Sequence, residues 1–359
     1  MIQDLTVIGV MSGTSLDGLD LCAVKFWQEN ARYNYEFIAG ETIPYSDQLR
    51  NSLGSAMQLS QESLQALDHY YGFHIGIEVQ NFIMRNHLKG KVQLIGSHGH
   101  TVFHEPNKGI TYQLGDGQAI ANETGIETIN DFRIKDVQLG GQGAPLVPIG
   151  DKLLFSEFES CLNLGGIANI SFDKNDQRIA YDLCPANLPI NKLMLESFTK
   201  YYDENGETAR SGKIVTALLE ELNALEYYRQ DPPKSLGVEW LNANFYPILQ
   251  KYDQESTEDI LKTIVEHETY IIAKEFEKYA ISSCLVTGGG AYNTFFMESL
   301  QSKTSTKIEI PKSELIEFKE ALIFAFLAFL NFNNQINTLR SVTGAKEDSI
   351  GGKRYTPLT

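Results

Sequence analysis

The sequence has few cysteines, and it lacks the spacing in which cysteine usually carries chemistry. Its four cysteines, Cys22, Cys161, Cys184 and Cys284, are scattered along the chain, and none belongs to a Cys-x-x-Cys pair. Such spacing disfavours a zinc site and a disulfide framework. It is typical of a protein in a reducing compartment.

Positive charge and long apolar runs are also scarce. The 359 residues include 30 Lys and Arg against 46 Asp and Glu, which gives a net charge of −16. Sequence-independent nucleic-acid binding needs a cationic face, so this charge disfavours it. The longest apolar run, residues 321–330, is too short to cross a bilayer. The first residues contain no basic segment followed by an apolar core. We therefore expect a cytoplasmic protein that binds neither nucleic acid nor a membrane.

Glycine is plentiful by contrast, and several glycines stand in turns between apolar segments. Residues 7–20, VIGVMSGTSLDGLD, predict a strand, a glycine-rich turn and a second strand. Gly13 and Gly18 let backbone N–H groups approach a phosphate, and neighbouring Ser and Thr hydroxyls add donors. The segment is neither a Walker loop nor a Gly-x-Gly-x-x-Gly motif. For the stretch alone, an ordinary polar hairpin is an equally good interpretation.

Two later segments combine strands with glycine turns in a similar way. Residues 161–172, CLNLGGIANISF, predict two strands joined by a Gly-Gly turn, and residues 281–290 predict a strand that runs into three glycines. The first and second turns both stand at the start of a candidate domain, which suggests a duplicated nucleotide-binding half. A chain of 359 residues exceeds the usual size of one core. We place the first domain at residues 1–130 plus 340–359 and the second at 131–339.

Hydrophobic periodicity predicts the remaining elements. Residues 46–90 are expected to be helical, with Ser60 as the N-cap of the second part. Further helices are predicted within 192–230, 257–279 and 315–332, and further strands at 33–43, 92–95, 127–130 and 306–309. The first three strands of the chain suggest a meander.

Three histidines follow the strand predicted at 92–95. We expect residues 96–106, GSHGHTVFHEP, to form a polar turn at its carboxyl end, where α/β proteins place ligands. His98, His100 and His104 suggest a metal site, but no carboxylate or cysteine at ligand spacing completes the set. Hydrogen bonding to substrate or backbone is therefore the favoured interpretation.

Residues 131–148 are polar and rich in glycine, and compact domains seldom carry such loops without a function. Arg133 is the best candidate in this segment for holding a carboxylate through two parallel hydrogen bonds. A structural ion pair with Asp131 or Asp136 is the alternative.

Two carboxylates stand out further along the chain. Asp182 lies at the end of a short apolar stretch, where it can act as a general base or cap the helix predicted to start near Leu188. Glu320 lies within the apolar surface of a helix, so it is paired, at the edge of that surface, or functional.

With these turns in place, the sequence resembles the anhydro-N-acetylmuramic acid kinases over nearly its whole length. The strings Met-Ser-Gly-Thr-Ser and Gly-Gly-Gln-Gly-Ala-Pro-Leu are specific. The segments that carry the resemblance are 9–20, 96–106, 113–117, 130–148, 163–170, 182–187, 232–240, 287–293 and the pair Glu320-Ala321. The resemblance implies an α/β fold of two actin-like, ribonuclease-H-like domains. Each domain would contain a mixed five-stranded sheet flanked by helices, with the nucleotide in the cleft between the domains.

The resemblance also implies an activity. An ATP-dependent kinase of this family opens 1,6-anhydro-N-acetylmuramic acid with water and phosphorylates O6, which yields N-acetylmuramate 6-phosphate in peptidoglycan recycling. Mg²⁺ would accompany ATP, with Asp17 and Asp20 as candidate ligands. Members of the family tend to form homodimers.

Site residues carry over from the family position by position. Asp182 matches the catalytic carboxylate, which would activate the attacking water. Arg133 and Glu320 match positions near the sugar, Arg133 being suited to its lactyl carboxylate, and His98 is a further candidate for contact with the substrate. The residues that match ATP- and phosphate-binding positions are Gly13, Thr14, Ser15, Leu16, Asp17, Gly18, Leu19, Asp20, Asn163, Gly165, Gly166, Gly288, Gly289, Gly290 and Asn293.

The sequence departs from the family's usual pattern near the base. Cys184 and Ala186 replace glycines, His100 stands where Gln is usual, and Asn191 stands where Asp is usual. These departures leave two alternatives open. One is a kinase for another sugar, and the other is a nucleotide-gated regulatory protein without phosphotransfer.

Overall fold

The computed structural model describes residues 2–13 and 16–358. The predicted phosphate-binding residues Thr14 and Ser15 lie outside this part of the chain. Its strands are β1 (Leu5–Ser12), β2 (Gly18–Glu29), β3 (Arg32–Pro44), β4 (Leu94–Glu105), β5 (Ile110–Leu114), β6 (Glu127–Asn130), β7 (Ser160–Leu164), β8 (Ile167–Lys174), β9 (Gln177–Pro185), β10 (Ser283–Thr287), β11 (Lys307–Glu309) and β12 (Lys353–Tyr355).

Helices connect these strands. They are α1 (Asp47–Gly54), α2 (Gln61–Arg85), α3 (Gly117–Thr124), α4 (Ile134–Gln138), α5 (Pro148–Leu154), α6 (Asn187–Phe198), α7 (Glu207–Ser211), α8 (Thr216–Asn223), α9 (Val238–Trp240), α10 (Tyr246–Gln250), α11 (Thr257–Lys278), α12 (Thr294–Lys303), α13 (Ser313–Phe332) and α14 (Arg340–Thr343). Ser60 is confirmed as the N-cap of α2, since its hydroxyl accepts a hydrogen bond from the Ser63 N–H at 3.3 Å. No helix among the described residues is both long and apolar enough to cross a membrane.

The chain divides into two compact units. Unit 1 comprises Met1–Leu154 and Phe318–Thr359, and unit 2 comprises Phe155–Glu317. The boundaries expected from the sequence differ, because they assigned residues 131–154 and 318–339 to the second domain. Within unit 1, Asp136 accepts a hydrogen bond from the Thr343 hydroxyl at 2.7 Å.

Unit 1 contains a seven-stranded sheet with the order β12-β6-β4-β1-β2-β3, to which β5 adds by pairing with β4. The first three strands form the predicted meander by antiparallel pairing. β4 is parallel to β1, and β6 is parallel to β4. The expectation of five strands was wrong for this unit, because β5 folds back on the end of β4 and the short β12 extends the edge at β6.

Unit 2 contains a five-stranded sheet with the order β11-β10-β7-β8-β9. β7, β8 and β9 are antiparallel, whereas β10 and β11 are parallel to β7. Each unit thus starts with a three-stranded antiparallel meander. In both units the following parallel strands add to the first strand at the edge that faces away from the meander. The α/β fold class, with a mixed sheet and helices in each of two units, is confirmed.

The apolar helix α13 forms part of the core of unit 1. A Cβ at Gly9 would lie 1.9 Å from the carbonyl oxygen of Ala321, so glycine is required where the helix backbone approaches β1. Phe326 and Phe329 contact Phe26 of β2 with ring centroids 5.3 and 5.4 Å apart. The apolarity of α13 indicated that the helix is buried but not against which sheet, which is why the expected domain boundary differs from the observed one.

The histidine segment is a strand and not the polar turn expected at residues 96–106. β4 continues to Glu105, and its second half pairs with β5 in antiparallel fashion. Gly99 has a φ of +73°, and the β4–β1 register shifts nearby. A left-handed glycine of this kind lets a strand bend without ending.

Candidate active site

The first glycine turn joins β1 to β2 in unit 1. Ser12 of β1 pairs with Leu19 of β2. Gly18 has a reason to be glycine other than a phosphate, because a Cβ there would lie 2.6 Å from the carbonyl oxygen of Ile43 on β3. Of the two predicted metal ligands, Asp17 is exposed, whereas Asp20 is half-buried and accepts a hydrogen bond from Thr42 at 2.6 Å.

A buried network of hydroxyl groups anchors the base of this turn. The Tyr45 hydroxyl donates to the Ser12 hydroxyl at 2.8 Å, so the Tyr71 hydroxyl is the donor to Tyr45 at 2.6 Å. The Ser12 proton is then directed to Nδ1 of His100 at 3.2 Å. Burial lowers the pKa of His100, which keeps the ring neutral as an acceptor. A hydrogen bond to Ser12 thus accounts for Nδ1 of this histidine.

Arg133 and His98 form the next part of the site in unit 1. Arg133 donates from Nε and Nη2 to Nε2 of His98, at 3.1 and 2.8 Å, and from Nη1 to the carbonyl oxygen of Gly143 at 2.7 Å. Because a guanidinium only donates, Nε2 of His98 is the acceptor and its Nδ1–H donates to the Gly99 carbonyl at 2.9 Å. Burial and the adjacent guanidinium hold the pKa of His98 well below its usual value.

The alternative ion pairs of Arg133 are not formed. Asp131 accepts a hydrogen bond from the Tyr355 hydroxyl at 3.2 Å. Asp136 accepts from the Gly143 N–H at 2.7 Å and thereby closes the glycine-rich loop. Both carboxylates are bound by other groups, and Arg133 donates its hydrogen bonds to His98 and Gly143 instead.

Glu320 is the electrostatic partner of Arg133. Burial lowers the pKa of Arg133 to about 10, and Glu320 opposes that shift. Burial raises the pKa of Glu320, Arg133 lowers it, and the Asp20 carboxylate raises it further. Neighbouring protein surrounds most of the Glu320 carboxylate, while part of the residue remains exposed to solvent. Unit 1 therefore brings together the three predicted substrate-binding residues His98, Arg133 and Glu320, with Asp20 nearby.

Asp182 lies in unit 2, inside β9 and not at its end. Its Oδ2 accepts a hydrogen bond from the Leu236 N–H at 2.9 Å, and its carbonyl oxygen accepts one from the Tyr227 hydroxyl at 2.6 Å. Burial raises the pKa of Asp182, and the bond from Leu236 lowers it. The helix-cap interpretation was wrong, because α6 begins at Asn187 and its N-cap residue is Ala186, without a side-chain hydrogen bond.

The second and third glycine turns pack together in unit 2. The carbonyl oxygens of Gly165 and Gly166 accept hydrogen bonds from the first N–H groups at the start of α6, at 3.0 to 3.1 Å. Gly288 has a φ of +82°, and a Cβ there would lie 2.7 Å from Oδ1 of Asn163. Gly289 and Gly290 continue this turn, and Asn293 caps α12 by accepting from the Phe296 N–H at 3.0 Å.

Sequence reasoning missed the residues that surround Asp182. Leu236 and Tyr227 contact it from a segment about fifty residues away in sequence, and Asn169 lies opposite it on β8. Residues 232–240 and 167–170 belong to segments that carried the family resemblance, but they had no assigned role. The missing information was the strand register, which places Asn169 opposite Asp182, and the path of the loop that carries Tyr227 and Leu236.

The two units each combine a glycine-rich turn with ionisable side chains whose pKa values are shifted, a class of site suited to phosphate chemistry on a small polar substrate. The described residues contain no group of three or more His, Cys, Asp or Glu side chains that could hold a metal ion.

Comparison with known proteins identifies the family. The family model described as anhydro-N-acetylmuramic acid kinase matches residues 5–357. The anhydro-N-acetylmuramic acid kinase of Mannheimia succiniciproducens is 37% identical over 372 residues, which covers 96% of this chain and 97% of the relative. That of Vibrio vulnificus is 36% identical over 367 residues, with 97% and 98% covered. This chain belongs to the anhydro-N-acetylmuramic acid kinase family.

Among solved structures, the activator of the 2-hydroxyisocaproyl-CoA dehydratase from Clostridium difficile with bound ADPNP aligns with a TM-score of 0.42 at 14% identity. The alignment covers 90% of this chain and 94% of that one.

Proposed function

We propose that this chain is an ATP-dependent kinase that opens the 1,6-anhydro ring of 1,6-anhydro-N-acetylmuramic acid and phosphorylates O6. The products are N-acetylmuramate 6-phosphate and ADP. The observation that carries the proposal is the half-buried Asp182 carboxylate, oriented by the Leu236 N–H, in a member of this family. A carboxylate with a raised pKa that is held in one orientation suits general-base catalysis.

Asp182 acts as the general base in this proposal. It accepts a proton from water as the water oxygen forms a bond to the anomeric carbon C1. The C1–O6 bond breaks, and its electron pair stays on O6. O6 then attacks the γ-phosphorus, and the bond from that phosphorus to the β,γ-bridging oxygen breaks to release ADP. Positioning and electrostatic stabilisation supply most of the rate in phosphoryl transfer.

Substrate binding falls to residues of unit 1. Arg133 has five N–H groups, of which three are directed to His98 and Gly143. The remaining two, one on each Nη, suit the lactyl carboxylate of the sugar. His98 fixes the guanidinium, and Glu320 accepts hydrogen bonds from sugar hydroxyls.

The glycine turns bind the nucleotide in this proposal. Residues 13–20 and 163–166 contact the phosphates, and residues 288–290 lie near the adenosine. Mg²⁺ in nucleotide sites takes one or two carboxylates together with phosphate oxygens. The hard oxygen donors of Asp20 and Asp17 fit such an ion, and Mg²⁺ would neutralise phosphate charge there. We further propose that the protein is cytoplasmic and forms a homodimer.

Product identification tests the proposed function. Purified protein is mixed with ATP, Mg²⁺ and the anhydro sugar in ¹⁸O-labelled water, and the sugar phosphate is analysed by mass spectrometry at early times. We expect the 6-phosphate, with label at C1, and no product from Asp182→Asn. Label in the phosphoryl group, or full turnover by that variant, would overturn the mechanism. ADP release with other sugars but not with this one would favour a different substrate.

A further inference from the structure

Four polar residues form a row across four neighbouring strands of unit 2. The pairing register places Thr287 beside Asn163, Asn163 opposite Asn169, and Asn169 opposite Asp182. Residues that are directly opposite on paired strands point to the same face of the sheet. The side chain of Asn169 therefore projects to the same side as the carboxylate of Asp182.

The residues that flank this row face the other way. Side chains alternate along a strand, so the neighbours of each row member lie on the opposite face. All of those neighbours belong to the apolar core of unit 2: Leu162, Leu164, Ala168, Ile170, Tyr181, Leu183 and Val286. The row thus projects away from this core.

A β-bulge in β9 brings Asp182 into the row. Ala168 pairs with Cys184, whereas the next residue, Asn169, pairs with Asp182, so Leu183 is the extra residue. Bulges re-aim side chains and are frequent beside active sites. Here the bulge sends Leu183 and Cys184 into the core and leaves Asp182 facing Asn169.

Asn169 is half-buried, and its carboxamide has no hydrogen-bond partner in the part of the chain that the structure describes. A carboxamide offers one acceptor oxygen and two N–H donors. Directly opposite residues on antiparallel strands have Cβ atoms about 4.5 to 5.5 Å apart, a spacing that a single water can bridge. Leu236 already occupies Oδ2 of Asp182 on one side.

We propose that Asn169 is a catalytic residue that holds the attacking water together with Asp182; this inference rests on the proposed function. The water donates one hydrogen to Asp182 and the other to Oδ1 of Asn169, which directs an oxygen lone pair to C1. As the bond to C1 forms and the C1–O6 bond breaks, the first proton moves to Asp182. The second stays on the new C1 hydroxyl, still hydrogen-bonded to Asn169.

Kinetics of Asn169→Ala test this role. We expect kcat to fall on the order of 100-fold, the scale of losing the alignment of a reacting group. The KM for the anhydro sugar and the affinity for ATP should change by less than about threefold, because the water and not the sugar is held. Gln177→Ala removes an exposed carboxamide from the same strand as Asp182 and should leave kcat unchanged.

Asn169→Asp gives a readout that a purely structural role would not move. A second carboxylate opposite Asp182 disfavours its ionisation, so the acid limb of kcat/KM should move to higher pH. An unshifted acid limb, kcat of Asn169→Ala within about threefold of wild type, or a raised KM at unchanged kcat would each overturn the inference. Inactive wild-type protein would instead refute the proposed function itself, so the two failures are distinct.

Discussion

The backbone N–H of Leu236 donates a 2.9 Å hydrogen bond to the carboxylate of Asp182. The segment that contains Leu236 also contacts the backbone of β9, since the Asp182 N–H donates to the Lys234 carbonyl at 3.4 Å. Nearby, the Tyr227 hydroxyl donates to the Asp182 carbonyl at 2.6 Å. The Lys234 ammonium lies 4.7 Å from the Tyr227 ring centroid, a cation–π contact that connects residue 234 to residue 227. The orientation of the proposed base therefore depends on residues 227–236.

Tyr227→Phe removes one of these bonds and leaves the carboxylate in place. We expect kcat to fall about fivefold to tenfold, in line with about 1 kcal/mol for one hydrogen bond. The ATP affinity should not change. Tyr246→Phe removes the hydroxyl group from another tyrosine of unit 2, which is half-buried, and serves as the control. Steady-state kinetics decide the matter, and equal rates for the two variants would contradict a positioning role for Tyr227.

The pH dependence of kcat/KM follows from the environment of Asp182. Burial raises its pKa above the aspartate value of about 4, with partial compensation by the Leu236 N–H. A general base must be ionised, so kcat/KM should rise with pH through this elevated pKa. A pH profile in the acidic range measures it. An acid limb at or below the ordinary aspartate pKa would contradict the assignment.

The stability of the wild-type protein should show the opposite pH trend to kcat/KM, and Asp182→Asn is the reference that measures it. Because the folded pKa exceeds the unfolded one, folding favours the protonated carboxyl, and this stabilisation is lost as pH rises through the folded pKa. At neutral pH the variant should melt at a higher temperature than wild type. The difference should vanish below the unfolded pKa. A variant that is less stable at neutral pH would show that the ionised carboxylate is well compensated.

Local elements were predictable where one segment's own pattern determines them. The strand 127–130 coincides with β6, and the Ser60 cap and the opening hairpin are as expected. The histidine segment was not, because Gly99 permits a strand to continue past a polar, glycine-containing stretch that looks like its end. A single positive φ decided between these outcomes, and sequence pattern does not reveal it.

The site was predictable only in part for a related reason. The Gly-Gly turns could be named, since residue type and local spacing carry their chemistry. For Asp182 the local pattern left a general base and a helix cap open, and only the family resemblance favoured the base. The neighbours of Asp182 depend on the β9 bulge and on a loop about fifty residues away. Likewise, the contact of Arg133 with His98 joins residues 35 apart through the pairing of β4 and β6. Such contacts arise from register and topology.

Arg133→Lys tests the proposed carboxylate contact. Lysine keeps the charge but loses the planar fork, and it cannot donate to His98 and Gly143 while binding two oxygens. We expect the KM for the anhydro sugar to rise at least about tenfold, the effect of losing a charge-assisted hydrogen bond. Calorimetry with the corresponding anhydro sugar without its lactyl group should show little difference between variant and wild type. Arg85→Lys, at a surface pair with Glu41, is the control.

Equal losses of affinity for both sugars would contradict that role. Arg133 would then support the loop through Gly143, and a lower melting temperature should accompany the loss.

Cys184→Gly tests whether the departure from the family pattern at this position alters the substrate. Cys184 is fully buried, its Sγ lies 3.9 Å from the carbonyl oxygen of Glu268, and the β9 bulge turns it into the core and away from Asp182. The thiol is therefore a packing group, and burial raises its pKa well above the usual value, which keeps it protonated. Removing it should cost about 2 kcal/mol of unfolding free energy through the lost contacts and the added backbone freedom.

The kinetics of this variant should stay close to wild type. We expect kcat/KM for the anhydro sugar to change by less than about threefold, because Cys184 packs in the core and the row that contains Asp182 lies on the opposite face of the sheet. Urea unfolding measures the stability loss, and Cys284→Gly on β10 controls for the loss of a buried thiol elsewhere in the same sheet. A changed preference among sugars, with stability unaffected, would mean that Cys184 shapes the substrate site after all.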